Sequence, residues 1–300
     1  MYQVPDQTGK IIIVTGANSG TGKEAAARLA GAGAHVIMAV RTPEKGEQAR
    51  LEILGRQPGA SLEVRRVDLA DLASVADFAA GVDRVDTLIN NAGVMMPPTR
   101  HTTVDGFELQ YGSNFLGPFA LTVRLLPVLL RAAAPRVATM SSGMAHFGTI
   151  RFDDPQFQRG YGPTRAYAQS KLANVMMTLR LAEIATERGW PLLSTGAHPG
   201  VTRTNLQTAG PNLGRDRPRR GYHGLGPFRL QEVGVGTEPL LYAAADPEAR
   251  QGGYYGPTGL LEFRGTTGVA RIPRRARDAG AARRLWDEAE RLTGASLAVS

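Results

Sequence analysis

The first third of the chain alternates short apolar runs with segments whose apolar residues recur at helical spacing. Lys10 to Thr15 is a β-branched run ending in a glycine turn, and Ser19 to Ala32 follows as a stretch of good helix formers. Ala34 to Val40 is again an apolar strand, and Pro43 to Leu54 a helix with proline at its entry. A strand at Leu62 to Val67, a helix at Leu72 to Ala80 and a strand at Val85 to Ile89 repeat the alternation. Further strands are expected at Arg136 to Met140, Leu192 to Ala197 and near Leu260 to Glu262. Two long helices are expected at about Phe115–Ala132 and Tyr167–Glu187. In the second, Leu172, Val175, Met176 and Leu179 fall at i, i+3, i+4 and i+7 and predict a buried stripe. Strands separated by single helices require right-handed crossovers, hence an α/β fold: a doubly wound parallel sheet with helices on both faces.

No linker interrupts the chain before residue 200 and no repeat is present, so residues 1–300 form a single domain in this reading. From 207 to 228 the composition shifts to Gly, Pro and Arg, and a mobile lid is expected there. The tail from 274 to 294 is expected to be an arginine-rich helix ending at Thr293-Gly294.

Composition removes several classes of function. The chain has no cysteine, which excludes disulfides, thiolate metal sites and cysteine nucleophiles. Its five histidines show no ligand spacing, so no metal is expected. Residues 1–10 do not resemble a signal peptide, and the most apolar stretch, Phe115 to Leu130, is broken by Pro118, Arg124 and Pro127. A soluble, cytoplasmic protein without a transmembrane segment is the expectation. The net charge of +8 comes mostly from scattered arginines that do not interleave with stacking aromatics, so a solvated basic surface is favoured over nucleic-acid binding.

Residues Thr15-Gly16-Ala17-Asn18-Ser19-Gly20-Thr21-Gly22 lie directly between the first strand and the first helix. Gly16 permits the tight turn, Gly20 and Gly22 allow close backbone approach, and the helix N-terminus presents free N–H groups to a pyrophosphate. The second strand ends in Ala39-Val40-Arg41-Thr42, with no carboxylate to accept from ribose hydroxyls. Arg41 can pair with a 2′-phosphate, so NADP(H) is the preferred cofactor and NAD(H) the second choice. Asp68, followed by Leu69, closes the third strand, where a carboxylate can accept from the adenine amino group. Asn90-Asn91-Ala92-Gly93 closes the fourth. Those residues suit a turn and suit the ribose–phosphate run equally well.

Tyr167 and Lys171 are four apart on a predicted helix and so share a face. A free phenol with a pKa near ~10 is a poor base at neutral pH, but a neighbouring ammonium favours its ionised form. Arginine could not serve in place of Lys171 in a proton relay. Ser142 is placed to stabilise charge developing on the oxygen that Tyr167 protonates.

Taken together, Thr15–Gly22, Asp68-Leu69, Asn90–Gly93, Asn114, Ser141-Ser142, Tyr167-x-x-x-Lys171 and Pro199-Gly200 resemble the short-chain dehydrogenase/reductase family in identity and order. Residues 169–174 and 198–201 look most like its retinol-dehydrogenase-like branch. The resemblance implies a Rossmann-type fold and hydride transfer between nicotinamide and a carbonyl or alcohol substrate, with Tyr167 as general acid/base. It implies that Lys171 also holds the nicotinamide ribose, and that Asn114 anchors a water leading to the lysine. It further implies that Pro199-Gly200-Val201-Thr202 meets the nicotinamide carboxamide, through Thr202 or Thr204. His198 is read as structural.

Between Ser142 and Tyr167 lie about twice as many residues as in many family members, including His146, Phe147, Phe152, Phe157 and Tyr161. These aromatics could contact a lipophilic substrate, and core packing explains them equally well. Substrate identity and reaction direction stay open. Family members commonly pair through the two long helices, while some in this branch are monomeric, so a homodimer is a hypothesis. The alternative function is a catalytically silent dinucleotide-binding sensor or scaffold, which would not need to keep Tyr167 and Lys171.

Overall fold

The computed structural model describes residues 1–203, 206, 210–213 and 230–297. The expected alternation is present in its first half: β1 (Ile11–Thr15), α1 (Gly20–Gly31), β2 (His35–Val40), α2 (Pro43–Leu54), β3 (Ser61–Arg66), α3 (Leu72–Ala80) and β4 (Thr87–Asn90). A short helix α4 (Leu109–Tyr111) runs through a π turn (Gly112–Leu116) into α5 (Gly117–Leu129). Then follow β5 (Arg136–Met140), α6 (Pro163–Glu187), β6 (Leu193–Ala197), α7 (Val233–Ala245), β7 (Tyr254–Pro257), β8 (Thr267–Val269) and α8 (Ala279–Thr293).

The strands form one sheet in the order β3-β2-β1-β4-β5-β6-β7-β8. All neighbours from β3 to β7 pair in parallel, and β8 closes the edge antiparallel to β7. This is the Rossmann-type doubly wound fold in one domain. Strand order reverses between β1 and β4, and a crevice opens at the carboxyl ends of strands at such a switch point.

Period-two alternation divides each central strand between two cores. On β1, Ile13 joins Phe78, Phe119, Leu181 and Trp286 on the face covered by α3, α5, α6 and α8. Its neighbours Ile12 and Val14 join Leu29, Ile53 and Leu240 on the face covered by α1, α2 and α7. Helix ends follow local chemistry. Asp71 caps α3 by accepting from the Ala73 and Ser74 N–H groups, and Asp278 caps α8 by accepting from Ala281. Gly294 ends α8 in the left-handed conformation, φ +64°, as Thr293-Gly294 leads one to expect.

Three expectations need correction. The stretch Leu260–Glu262 is a 3₁₀ turn and not a strand: Leu261 has φ +51°, which no strand residue adopts, and the last two strands lie on either side of it. The helix expected from Phe115 begins at Leu109 and reaches Gly117 only through the π turn, while α6 begins at Pro163, whose fixed φ suits a first helical position. The tail 274–294 is a 3₁₀ turn, Arg274–Arg277, followed by α8. The lid expected over 207–228 lies outside the described residues apart from 210–213. Among the described residues no helix is long and apolar enough to cross a membrane.

Candidate active site

A cleft of about 320 Å³ opens at the switch point. Gly16, Asn18, Ser19, Gly20, Thr21, Arg41, Asp68, Leu69, Asn91, Ala92 and Gly93 all line it. The β1–α1 turn needs its glycines for two reasons. Gly16 and Gly20 have φ of +68° and +54°, a region that favours glycine. A Cβ on Gly16 would also press on Ala92, 2.9 Å from its Cα. Gly22 is not part of the cleft wall. A Cβ there would collide with the Asn91 amide and the Gly16 carbonyl, so its role is close packing of helix on strand.

Asn91 is the turn's keystone. Its backbone N–H donates to Thr15 Oγ1 (2.9 Å), its Nδ2 to the Thr15 carbonyl (2.9 Å), and its Oδ1 accepts from Thr21 Oγ1 (2.8 Å). Asp68 is braced too: Oδ1 accepts from the Ala70 N–H at 2.9 Å. At the far lip, Arg41 and Thr42 are joined by Lys45, all three lining the cleft. Sequence reading missed Lys45. It lies one helical turn beyond Arg41 and is one of only four lysines in the chain, a scarcity that could have drawn notice.

Gly93 joins the cleft to the catalytic cluster. A Cβ on it would lie 3.0 Å from Asn114 Oδ1 and 3.6 Å from Lys171 Nζ. Tyr167 and Lys171 occupy one face of α6, with Nζ 5.9 Å from the phenol ring centre. Both are buried, 4% and 2% exposed. Burial pushes the Tyr167 phenol up to about 12, a hydrogen bond with Ser142 opposing that shift. Burial also pulls the Lys171 amine down to about 8. In the protein without cofactor, burial therefore sets the net direction of the Tyr167 shift, upward.

Lys171 Nζ donates to the Met140 carbonyl (3.1 Å). Ser142 Oγ, at the end of β5, accepts from the Met144 N–H (3.2 Å). Asn114 sits inside the π turn, fully buried. Its Oδ1 accepts from the Val94 N–H (2.7 Å), and its Nδ2 donates to the Val94 carbonyl (2.9 Å) and Ser170 Oγ (3.0 Å). The side chain is thus a staple on the segment after β4. Ser170, its partner on α6, belongs to the 169–174 stretch that resembles the branch, but the sequence assigned it no role of its own.

Pro199 to Thr202 leave the end of β6, which pairs with β5 just before Ser141. Gly200 has φ +60°. The Thr202 hydroxyl donates to the Pro199 carbonyl at 2.6 Å, and Thr204 lies outside the described residues. In the insertion before α6, Phe157 is a core residue and Arg284 lies over the Phe152 ring at 4.1 Å, so packing accounts for both. Tyr161 donates to the Pro97 carbonyl, while Phe147 is 76% exposed.

Comparison with known proteins agrees with this geometry. The family model for short chain dehydrogenases matches residues 10–212. The chain is 41% identical to retinol dehydrogenase 13 of Homo sapiens, over 95% of this chain and 85% of that protein. It is 39% identical to polyprenol dehydrogenase of Mus musculus, over 97% and 86% of the two. Among solved structures, an uncharacterized protein from Mycobacterium paratuberculosis matches with a TM-score of 0.81 at 41% identity, covering 99% of this chain and 97% of that one. A structure described as a short chain dehydrogenase from Escherichia coli complexed with NADPH matches at 25% identity, with a TM-score of 0.63, over 84% and 97%. The chain belongs to the short-chain dehydrogenase/reductase family, in its retinol-dehydrogenase-like branch. It is an oxidoreductase of a family that uses nicotinamide dinucleotides and acts on small molecules.

Proposed function

We propose that the protein is an NADP(H)-dependent oxidoreductase that interconverts an apolar alcohol and its carbonyl compound. The observation that carries this reading is the cluster of Tyr167, Ser142 and Lys171 next to Gly93, which lines a glycine-rich cleft that also bears Arg41 and Lys45.

The protein's own groups fit a dinucleotide. The glycines leave no room for side chains where the turn opens, and the α1 N-terminus faces the cleft. Asp68 has an oxygen to offer an adenine amino group. Arg41 and Lys45 would receive a 2′-phosphate, and among the described residues no carboxylate lines the cleft beside them to repel it. Gly93 and the turn 199–202 would flank the nicotinamide end.

When bound, the nicotinamide supplies or accepts hydride. Tyr167 donates its phenolic proton to the carbonyl oxygen in reduction and removes it from the alcohol in oxidation. Ser142 Oγ accepts from the Met144 N–H and is hydrogen-bonded to the Tyr167 phenol; with a substrate oxygen in place, its hydroxyl proton would turn from Tyr167 to that oxygen. Lys171 spends one proton on Met140, which leaves two for ribose hydroxyls and for relaying charge to the phenol. A phenol raised to about 12 stays protonated at neutral pH, so Tyr167 holds the proton that reduction requires, and the cofactor's charge and Lys171 would have to lower its pKa for it to act as a base in oxidation. Asn114 acts as a positioning residue through Val94. The substrates named for the relatives, retinol and polyprenol, are isoprenoid alcohols, which points to an apolar aldehyde or allylic alcohol here.

The test is oxidation of NADPH against NADH with a panel of isoprenoid, aliphatic and aromatic aldehydes and ketones. NADPH-preferring turnover of an apolar carbonyl is the expected result. Preference for NADH would overturn the reading of Arg41 and Lys45. NADPH binding without turnover on a panel spanning these classes would favour a silent dinucleotide-binding protein.

A further inference from the structure

The structure assigns a second role beside this site: we propose that His198 and Glu262 form a latch that holds the Pro199–Val201 turn in the shape that receives nicotinamide. The inference rests on the reading above, that this turn meets the nicotinamide end of the cofactor.

His198 is the residue at which the chain leaves β6 for that turn, and it is 1% exposed. Its Nδ1 lies 3.3 Å from the Gly200 N–H, and its Nε2 3.0 Å from Glu262 Oε2. The other carboxylate oxygen accepts from the Arg271 N–H at 2.8 Å. These contacts determine the proton's position. A backbone N–H can only donate, so Nδ1 must offer a lone pair to Gly200. The ring proton then sits on Nε2 and is donated to Glu262. Carboxylate, imidazole and turn form one directed chain, with a neutral ring in its middle.

The ring has no freedom to leave. It lies flat on Gly256, where any Cβ would strike it, and stacks 5.4 Å from the Tyr254 ring. Burial alone would raise the Glu262 carboxyl, but hydrogen bonds from His198 and the Arg271 backbone, aided by His146, hold it below its usual range. The acceptor is therefore ionised at neutral pH.

The loop that carries Glu262 is built to present it. Leu261 and Glu262 have φ of +51° and +57°, conformations that cost non-glycine residues free energy and persist only where surrounding contacts over-determine them. Beside the loop's own hydrogen bonds and that from Arg271, several of those contacts run to the same turn. Val201 N–H donates to the Phe263 carbonyl at 2.9 Å. Gln231 Nε2 reaches both the Pro199 and Phe263 carbonyls, at 3.1 and 3.3 Å. Gly200, at φ +60°, backs onto the Phe263 carbonyl so closely that a Cβ could not fit. The β7–β8 connection is thus a clasp on the turn from behind, and His198 reaches it from the turn's own strand end.

The latch is tested by measuring the dissociation constants of two ligands, NADPH and adenosine 2′,5′-bisphosphate, which lacks the nicotinamide half. The variants are His198→Phe and Glu262→Gln. The second keeps shape and solvent exposure, but the Arg271 N–H claims its one oxygen, so its NH2 faces Nε2, donates there and drives the ring proton onto Nδ1, against Gly200. Both should weaken NADPH by about five- to tenfold, the loss of one buried hydrogen-bond relay, and leave the bisphosphate within about twofold. His198→Asn, which keeps an acceptor near the Gly200 N–H, should recover part of the loss. Unchanged NADPH affinity in Glu262→Gln would overturn the latch. Equal weakening of both ligands would do so too, because it would show a general structural role. Wild-type protein that binds NADPH no more tightly than the bisphosphate would overturn the placement of nicotinamide at the turn, and the latch with it.

Discussion

The two ends of the cleft are built by opposite means. At the adenosine end, one short stretch between β1 and α1 lines the cleft with Gly16, Asn18, Ser19, Gly20 and Thr21, and its glycines leave backbone exposed to it. At the catalytic end, Gly93, Asn114, Ser142, Tyr167, Lys171, His198 and Glu262 come from far-separated segments, and buried side chains make the contacts. A turn can be specified locally by glycine. Positioning a proton to within a hydrogen bond requires the whole fold to arrive first. The comparison predicts that damage at one end changes binding, and damage at the other changes chemistry.

The largest separation is expected for Tyr167→Phe. It removes the phenolic proton hydrogen-bonded to Ser142 while keeping the ring that packs beside Lys171. Turnover should fall roughly 10²- to 10⁴-fold, the range for loss of a general acid/base, with NADPH affinity within about twofold. Fluorescence titration beside steady-state rates checks both halves. Equal loss of binding and rate would show that the two ends are not separable.

Next in size is the cofactor lip. Arg41→Ala and Lys45→Ala should each weaken NADPH by about tenfold through loss of a charge-assisted contact, leave NADH nearly unchanged, and leave the saturated rate intact. The double variant should approach equal use of the two cofactors. Specificity that follows Arg41 alone would show that Lys45 merely lines the wall.

The same contrast explains what was legible beforehand. The adenosine end, β1 to β4, was readable because β1, β2 and β4 are largely apolar runs, β3 alternates apolar with polar residues, and most of the turns between elements carry a glycine or proline. The catalytic residues were readable through the Tyr167-x-x-x-Lys171 spacing and their order. The partners that hold them were not. Ser170, Met140 and Glu262 become neighbours of Asn114, Lys171 and His198 only across tertiary contacts. The C-terminal strands escaped for a related reason. Tyr254–Pro257 is bounded by glycines and contains Gly256 and Pro257, a turn-like composition, and it is a strand because β6 and β8 pair with it. Helix α7 begins Val-Gly-Val-Gly and contains Pro239, poor helix credentials that packing against α1 and the sheet overrides.

A pH series probes the catalytic end without substrate. In the cofactor-free protein Lys171 titrates near 8, below the unfolded value of about 10.4, because burial disfavours its charge. Below pH 8 the lysine is protonated in both states, and folding bears the full cost of burying it. Between about 8 and 10.4 the unfolded chain binds the extra proton, so this contribution to stability rises with pH. Lys171→Met abolishes the titration. The melting temperature of wild type minus that of the variant should therefore rise by a few degrees from pH 7 to pH 9.5. Tyr167, raised to about 12, acts in the opposite sense only above pH 10 and so leaves this window clear. A flat difference would show that Lys171 keeps its charge in the folded state.

The finest test is a matched pair of deletions, one hydroxyl at each end. Thr21 Oγ1 donates to Asn91 Oδ1 at 2.8 Å and ties α1 to the end of β4. Ser141 Oγ donates to the Lys171 carbonyl at 2.7 Å and ties β5 to α6. Thr21→Val and Ser141→Ala each remove one such bond, and each should lower stability by about 1 kcal/mol in urea unfolding. Their functional effects should diverge despite equal energetic damage. Thr21→Val loosens the turn that receives the pyrophosphate, so NADPH affinity falls by about threefold and the saturated rate holds. Ser141→Ala loosens the helix that carries Tyr167 and Lys171 against Ser142, so the rate falls while affinity holds. Should both variants lose affinity and rate together, the cleft would be a single cooperative unit, and the division between a local cradle and an assembled catalytic end would be wrong.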